Sequence, residues 1–174
     1  MAKILLSRLS GYCDHLLDTD QFEDWDGAVN GLQVENRGTV SRLAAAVDGS
    51  LATIRMAVAA RADLLLVHHG LFWGPTHPWT GRRYEMLRLL LDHNLAVYSS
   101  HLPLDAHPKL GNNARLCAAL GLRIRKPFFF EKGRYLGFRA NANVPRDELA
   151  RRLARAVGRT PIVLPGGPAD CRQI

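Results

Sequence analysis

The sequence is short of cysteine, and it has no long apolar run. Its three cysteines, Cys13, Cys117 and Cys171, stand far apart and form no C-x-x-C pair. An odd, scattered set argues against a disulfide framework and against a cysteine-based zinc knuckle, and reads as reduced thiols. No apolar stretch approaches the ~18 residues that span a bilayer. At the start, Ile4-Leu5-Leu6 lies between Lys3 and Arg8 and lacks the apolar region of a secretory signal. The sequence therefore reads as cytoplasmic, with no membrane partner. Also missing are a G-x-S-x-G elbow, a Walker loop, a G-x-G-x-x-G turn and any internal repeat. Nothing marks Ser99 or Ser100 as an activated nucleophile.

What is present is an ordinary globular composition, 47% hydrophobic and 22% charged over 174 residues, enough for one domain or one with a small extra lobe. The formal net charge is +7. Such an excess suits a nucleic-acid partner, but much of it is local, in Arg146, Arg151, Arg152, Arg155 and Arg159, offset by Asp147 and Glu148. No aromatic residue interleaves that segment as a base-stacking platform requires, so a solvated helix face is the simpler reading.

Helical spacing runs from Ile4 to Leu17 and is punctuated by Asp18-Thr19-Asp20. A loop rich in Gly, Asn and Asp follows from Asp24 and leads into Leu32-Gln33-Val34. Leu43 to Val47 reads as a buried strand, Ser50 as the N-cap of a helix over Leu51 to Ala62, and Leu64 to Val67 as a second buried strand. Strand, helix and strand with short links predict a right-handed crossover and a parallel pair. A further helix is predicted over Arg82 to His93, a strand over Leu95 to Tyr98, and a helix over Ala114 to Leu120. A half-buried strand is expected over 134–144. Pro145 then opens the arginine-rich helix at its first position, and Thr160 to Leu164 forms a last short strand.

The chemistry lies at two strand ends. His68 and His69 follow Leu64 to Val67 directly, and His101, Asp105 and His107 follow the strand at Leu95 to Tyr98. Adjacent strand residues point to opposite faces, so His68 and His69 share a pocket only where the strand gives way to a loop. Placed there, the two rings face one pocket, or one each of two adjacent metal ions. Carboxyl ends of parallel strands lie on one edge of the sheet, where α/β proteins bind ligands. Imidazole and carboxylate donors suit zinc, iron, manganese, cobalt or nickel, and such an ion makes hydroxide available near neutral pH. His15, His77 and His93 read as helix-face or surface residues, His107 as a turn residue, and Asp105 also suits capping of local amides.

Val67-His68-His69-Gly70-Leu71-Phe72-Trp73, His101-Leu102-Pro103-Leu104-Asp105 and Gly111-Asn112-Asn113, with Asn30-Gly31-Leu32-Gln33-Val34-Glu35 upstream, resemble the NIF-three-like dinuclear-metal family. Its members are also known as type 2 homologues of GTP cyclohydrolase I. The resemblance implies an α/β/α fold, a parallel-rich sheet with helices on both faces, and a ring-like homohexamer. It implies His68, His69 and Asp105 as metal ligands and His101 as a supporting residue beside them. It further implies a hydrolase acting on a nucleotide-like or cyclic amide substrate. The family's other ligands, in a His-x-x-x-Glu pattern, belong to a C-terminal segment that this sequence does not contain, and neither Glu nor His occurs after Glu148. The expectation is therefore a C-terminally incomplete fold, with a metal-binding domain over 1–126 and the remainder over 127–174. Metal binding and hydrolysis are expected to be weakened, and a non-catalytic oligomeric scaffold or nucleic-acid-binding protein is the alternative.

Overall fold

The computed structural model describes residues 3–75 and 77–174, in two compact units, Met1–Leu104 and Asp105–Ile174. The division falls ahead of the expected 126/127 boundary. Its physical reason is the core of the second unit, where Leu120, Leu122 and Ala140 pack with Cys117, Leu149 and Leu153, so the helix holding Cys117 belongs with the sheet that follows it.

The first unit opens with β1 (Ile4–Leu5) and α1 (Leu6–Leu17). Asp18, in the left-handed conformation at φ 56°, ends α1 where the Asp-Thr-Asp punctuation predicts. β2 (Gly31–Val34), β3 (Thr39–Val40), β4 (Leu43–Asp48), α2 (Leu51–Ala59), β5 (Leu64–His69), α3 (Arg82–Asp92) and β6 (Ala96–Ser99) complete it. β1 and β3 form a small antiparallel pair, and the main sheet has the order β2-β6-β5-β4. β4, β5 and β6 are parallel, as the crossover reading requires, and β2 runs antiparallel to β6.

The run Leu64 to Val67 is apolar throughout because both of its faces are covered. Leu65 and Val67 pack with Ile54 and Ala57 of α2 and Leu90 of α3. Leu64 and Leu66 lie in a second cluster with Leu6, Leu9 and Cys13 of α1. Helices thus cover both faces, and the α/β/α reading holds for this unit. Tyr98, 2% exposed, donates its hydroxyl to Asp14 Oδ1 at 2.8 Å and ties β6 to α1. Ser50 caps α2 as predicted. Its Oγ accepts from Thr53 N, while Thr53 Oγ1 accepts from Ser50 N at 2.9 Å, a reciprocal capping box.

The second unit holds α5 (Asn112–Ala119), β7 (Arg123–Glu131), β8 (Arg134–Pro145), α6 (Arg146–Val157) and β9 (Asp170–Gln173), with a short helix α4 (Leu102–Ala106) across the boundary. β7, β8 and β9 form an antiparallel sheet in that order. Three local expectations are corrected here. Residues 160–164 are irregular, and the last strand is instead Asp170–Gln173, where Cys171 pairs with Val144. Pro145 closes β8 and stands one residue before α6, its fixed φ suiting the turn out of the sheet. Residues 123–131, read only as a Pro-Phe cluster leading onward, are a strand; Pro127 is tolerated because β7 is an edge. On α6, Glu148 accepts from Arg151 and Arg152 at 3.0 Å each and lies 3.5 Å from Arg155, so the arginine-rich face is partly neutralised from within. Among the described residues no helix is long and apolar enough to cross a membrane.

Candidate metal centre

The histidine pair lies at the carboxyl edge of the main sheet, still inside β5. The strand continues two residues beyond the expected end because β4 keeps pairing as far as Asp48 opposite His69. β6, on the other side, stops pairing at Ser99 opposite Val67. At this half-released end the two rings meet despite their alternation, with centroids 4.7 Å apart and planes tilted by 41°. His101 follows β6 and brings its ring to 4.9 Å from His68 and 5.6 Å from His69. One ring nitrogen from each of His68, His69 and His101 lies within 4.8 Å of the other two.

Each ring has its Nδ1 tied to an oxygen. His68 Nδ1 donates to the Ser100 carbonyl at 2.9 Å. His69 Nδ1 donates to Asp48 Oδ1 at 2.6 Å. His101 Nδ1 donates to Asp24 Oδ1 at 2.9 Å. A carbonyl only accepts, so His68 Nδ1 carries a proton. A carboxylate likewise only accepts, so Nδ1 of His69 and of His101 carries one too. Imidazole nitrogens gathered in this way are a donor set that could hold a metal, and oxygen partners behind the rings are the usual support of histidine ligands.

The loop from Asp24 to Asn30 has a part that its composition does not announce. Asp24 is almost fully buried, its side chain 4% exposed. Burial on its own raises its carboxyl pKa. Hydrogen bonds from Asn30, His101 and the backbone N–H groups of Trp25 and Leu102 outweigh that, and hold the group below the usual carboxylate range. Asn30 accepts from His101 N at 2.7 Å through Oδ1 and donates to Asp24 through Nδ2 at 2.7 Å. The register explains the meeting: Gly31 pairs with Ser99, so the residue before β2 faces the residues after β6. Trp73 closes one side, edge-on to His101 at 4.7 Å and to His69 at 5.8 Å. Gly70 is required by Gln33, whose amide fills the space a Cβ would take and accepts from Leu71 N at 2.7 Å. Ser100 Oγ is buried and has no hydrogen-bond partner among the described residues.

Asp105 stands in the second unit, where its Oδ1 accepts from Asn112 Nδ2 at 2.9 Å, and it is not one of the clustered three. His107 shapes a turn, its Nδ1 accepting from Lys109 N at 3.2 Å and Leu110 N at 3.0 Å. His101, expected beside the site, supplies a ring nitrogen to the cluster itself. Asp24 and Asp48 were not singled out from the sequence, and Asn30 and Trp73 stood in the quoted motifs without a role at the site. The only signal for Asp24 was a polar loop ahead of a short strand, whereas Asn30 opens the upstream segment of the family resemblance.

The sequence profile of Duf34/NIF3 (NGG1p interacting factor 3) matches residues 4–174. The chain belongs to this family. A "GTP cyclohydrolase 1 type 2 homolog" of Treponema pallidum is 48% identical over 130 residues, which is 74% of this chain and 46% of that protein. Another of the same name, from Halobacterium salinarum, is 43% identical over 171 residues, 95% of this chain and 66% of that protein. The chain therefore spans about half to two thirds of the length of these relatives. A solved structure described as protein ybgI, of unknown function, superposes with a TM-score of 0.86 at 34% identity, covering 98% of this chain and 68% of that one. The Duf34/NIF3 fold is thus established for the chain, and its histidine cluster is one that can hold a metal ion.

Proposed function

We propose that the chain is a metal-dependent hydrolase unit for a nucleotide-like or cyclic amide substrate, with His68, His69 and His101 as nitrogen donors. The observation that carries this reading is the convergence of one ring nitrogen from each of the three histidines within 4.8 Å, each ring oriented by an oxygen at its Nδ1. The donor chemistry fits zinc, iron, manganese, cobalt or nickel alike. An ion held there supplies a Lewis acid and a bound water of lowered pKa. Every other contribution comes from the chain. Asp24 and Asp48 keep negative charge behind His101 and His69 and so raise the basicity of the donating nitrogens. The Ser100 carbonyl holds the ring of His68, and Trp73 shields the cluster from water on one side. The name GTP cyclohydrolase 1 type 2 homolog, borne by relatives, supports a purine nucleotide as the first substrate to try. Asp105 is retained in this proposal as a carboxylate ligand.

The test is metal content by plasma mass spectrometry after exhaustive dialysis, with turnover of GTP followed on the same samples. Bound metal and metal-dependent turnover are expected in the wild-type chain, and both should fall on His68→Ala. Metal content indifferent to His68→Ala and to His69→Ala would overturn the reading. Asp105→Ala tests the carboxylate separately, with a smaller fall in metal content as the expected result.

A further inference from the structure

A cavity of ≈ 700 Å³ opens between the first turns of α2 and α3, its wall including Gly70, the residue that follows His69. We propose that it is the phosphate-binding subsite for the substrate, with Arg82 and Arg83 gripping the phosphate of a nucleotide-like molecule whose reacting end reaches the histidine cluster. The inference rests on the metal-dependent reading above and names the substrate class more narrowly.

Position is the first argument. The cavity wall begins at Gly49, one residue after Asp48, and at Gly70, one residue after His69. These two wall segments are joined by a hydrogen bond from Gly49 N to His69 O at 2.7 Å. The cavity thus lies at the carboxyl ends of β4 and β5, the edge where sheets of this class take their ligands. Its volume falls within the range of small-molecule sites.

Charge is the second. Arg55, Arg82 and Arg83 line the cavity, and Glu85 is the one acidic group in the wall. Glu85 is engaged by Arg55 in an ion pair that links α2 to α3. That pair spends the only carboxylate and leaves Arg82 and Arg83, neither of which has an acidic partner among the described residues. Two adjacent guanidinium forks without a carboxylate suit a phosphate, which they can grip with paired N–H···O bonds.

The rest of the wall is the third. Leu51, Leu71 and Trp79 give the same cavity an apolar side. Trp79 meets Phe72 at a steep angle, with centroids 6.0 Å apart, and supplies the cavity with an aromatic ring of the kind a flat base packs against. An anion grip at one part and an aromatic face at another match a nucleotide better than free phosphate or an uncharged cyclic amide.

Isothermal titration calorimetry of the full chain with GTP and with guanosine tests the subsite. GTP should bind more tightly than guanosine, and Arg82→Gln/Arg83→Gln should raise the Kd of GTP at least tenfold while guanosine affinity and metal content stay unchanged. Single Arg82→Gln, at an exposed position, should shift GTP in the same direction and guards against misfolding of the double variant. GTP binding no tighter than guanosine, or unchanged by either variant, would overturn the subsite even with metal content normal. If instead His68→Ala and His69→Ala both leave metal content untouched while GTP still depends on the arginines, the metal reading falls and the subsite stands.

Discussion

At the scale of single residues, the cluster depends on the groups behind the rings as much as on the rings. Asp24→Asn keeps the size of the side chain but turns an amide toward His101 Nδ1 and toward the N–H groups of Trp25 and Leu102. Its expected effect is a loss of metal affinity of roughly 10–100-fold, read by competition with a chromophoric chelator. A metal affinity equal to wild type would show that the tether is dispensable. Asp63 gives a pH prediction away from the cluster. Burial pushes its carboxyl up, but bonds from Ser41 N and Oγ and from Arg42 N, with Lys3 nearby, hold it below the ordinary value. A depressed carboxylate stabilises the fold above the unfolded pKa, and that stability is lost as pH falls through the folded pKa. Asp63→Ala should therefore lower stability at neutral pH, modestly because solvent screens the group. Thermal melts should show the gap closing below about pH 4. The histidine pair was legible from the sequence because two imidazoles ending an apolar run are rare. The roles of Asp24 and Asn30 were not, because their importance lies in a partner 71 or more residues away along the chain.

At the scale of elements, the sequence was most informative where both faces of a segment are buried. Leu64 to Val67 and Leu95 to Tyr98 carry continuous apolar runs; the structure sets the first between two parallel strands and the second between one parallel and one antiparallel strand. The prediction that follows is plain core loss. Leu65 is 1% exposed between α2 and α3, so Leu65→Ala should destabilise the unit by about 2–5 kcal/mol in chemical denaturation. A cost under half the lower figure would mean the cluster collapses around the vacancy. Legibility failed in β7, whose residues are exposed almost throughout. A strand without a buried face shows no alternation, and Pro127 within it argues for a loop. It failed again at 160–164, where β-branched and apolar residues promised a strand but no strand among the described residues takes up the pairing. Propensity is a statement about fitting a pleated, half-buried surface, and no such surface meets that segment.

At the scale of the whole molecule, one face asks for company. Phe128, Phe129 and Phe130 are 48%, 55% and 62% exposed on β7, at the open edge of its sheet. Exposed aromatics beside unpaired backbone groups favour association with another chain. We therefore expect copies of this chain to self-associate, in line with the hexamer implied by the family resemblance. Light scattering should report a mass above the monomer at micromolar concentration, and Phe130→Asp should lower it; a monomeric mass throughout would count against the expectation. The pairing of β2 with β6 carries a different consequence, one of timing. Gly31 and Ser99 are far apart along the chain, and closing so long a loop slows the search for the native contact. Asp24 and Asn30 take hold of His101 only when that closure is made. β4, β5 and their crossover helix form through more local contacts, so His68 and His69 can be aligned while His101 is still untethered. We therefore expect the three-histidine cluster to be completed late in folding, and metal capture by a refolding chain should lag the formation of β4 and β5.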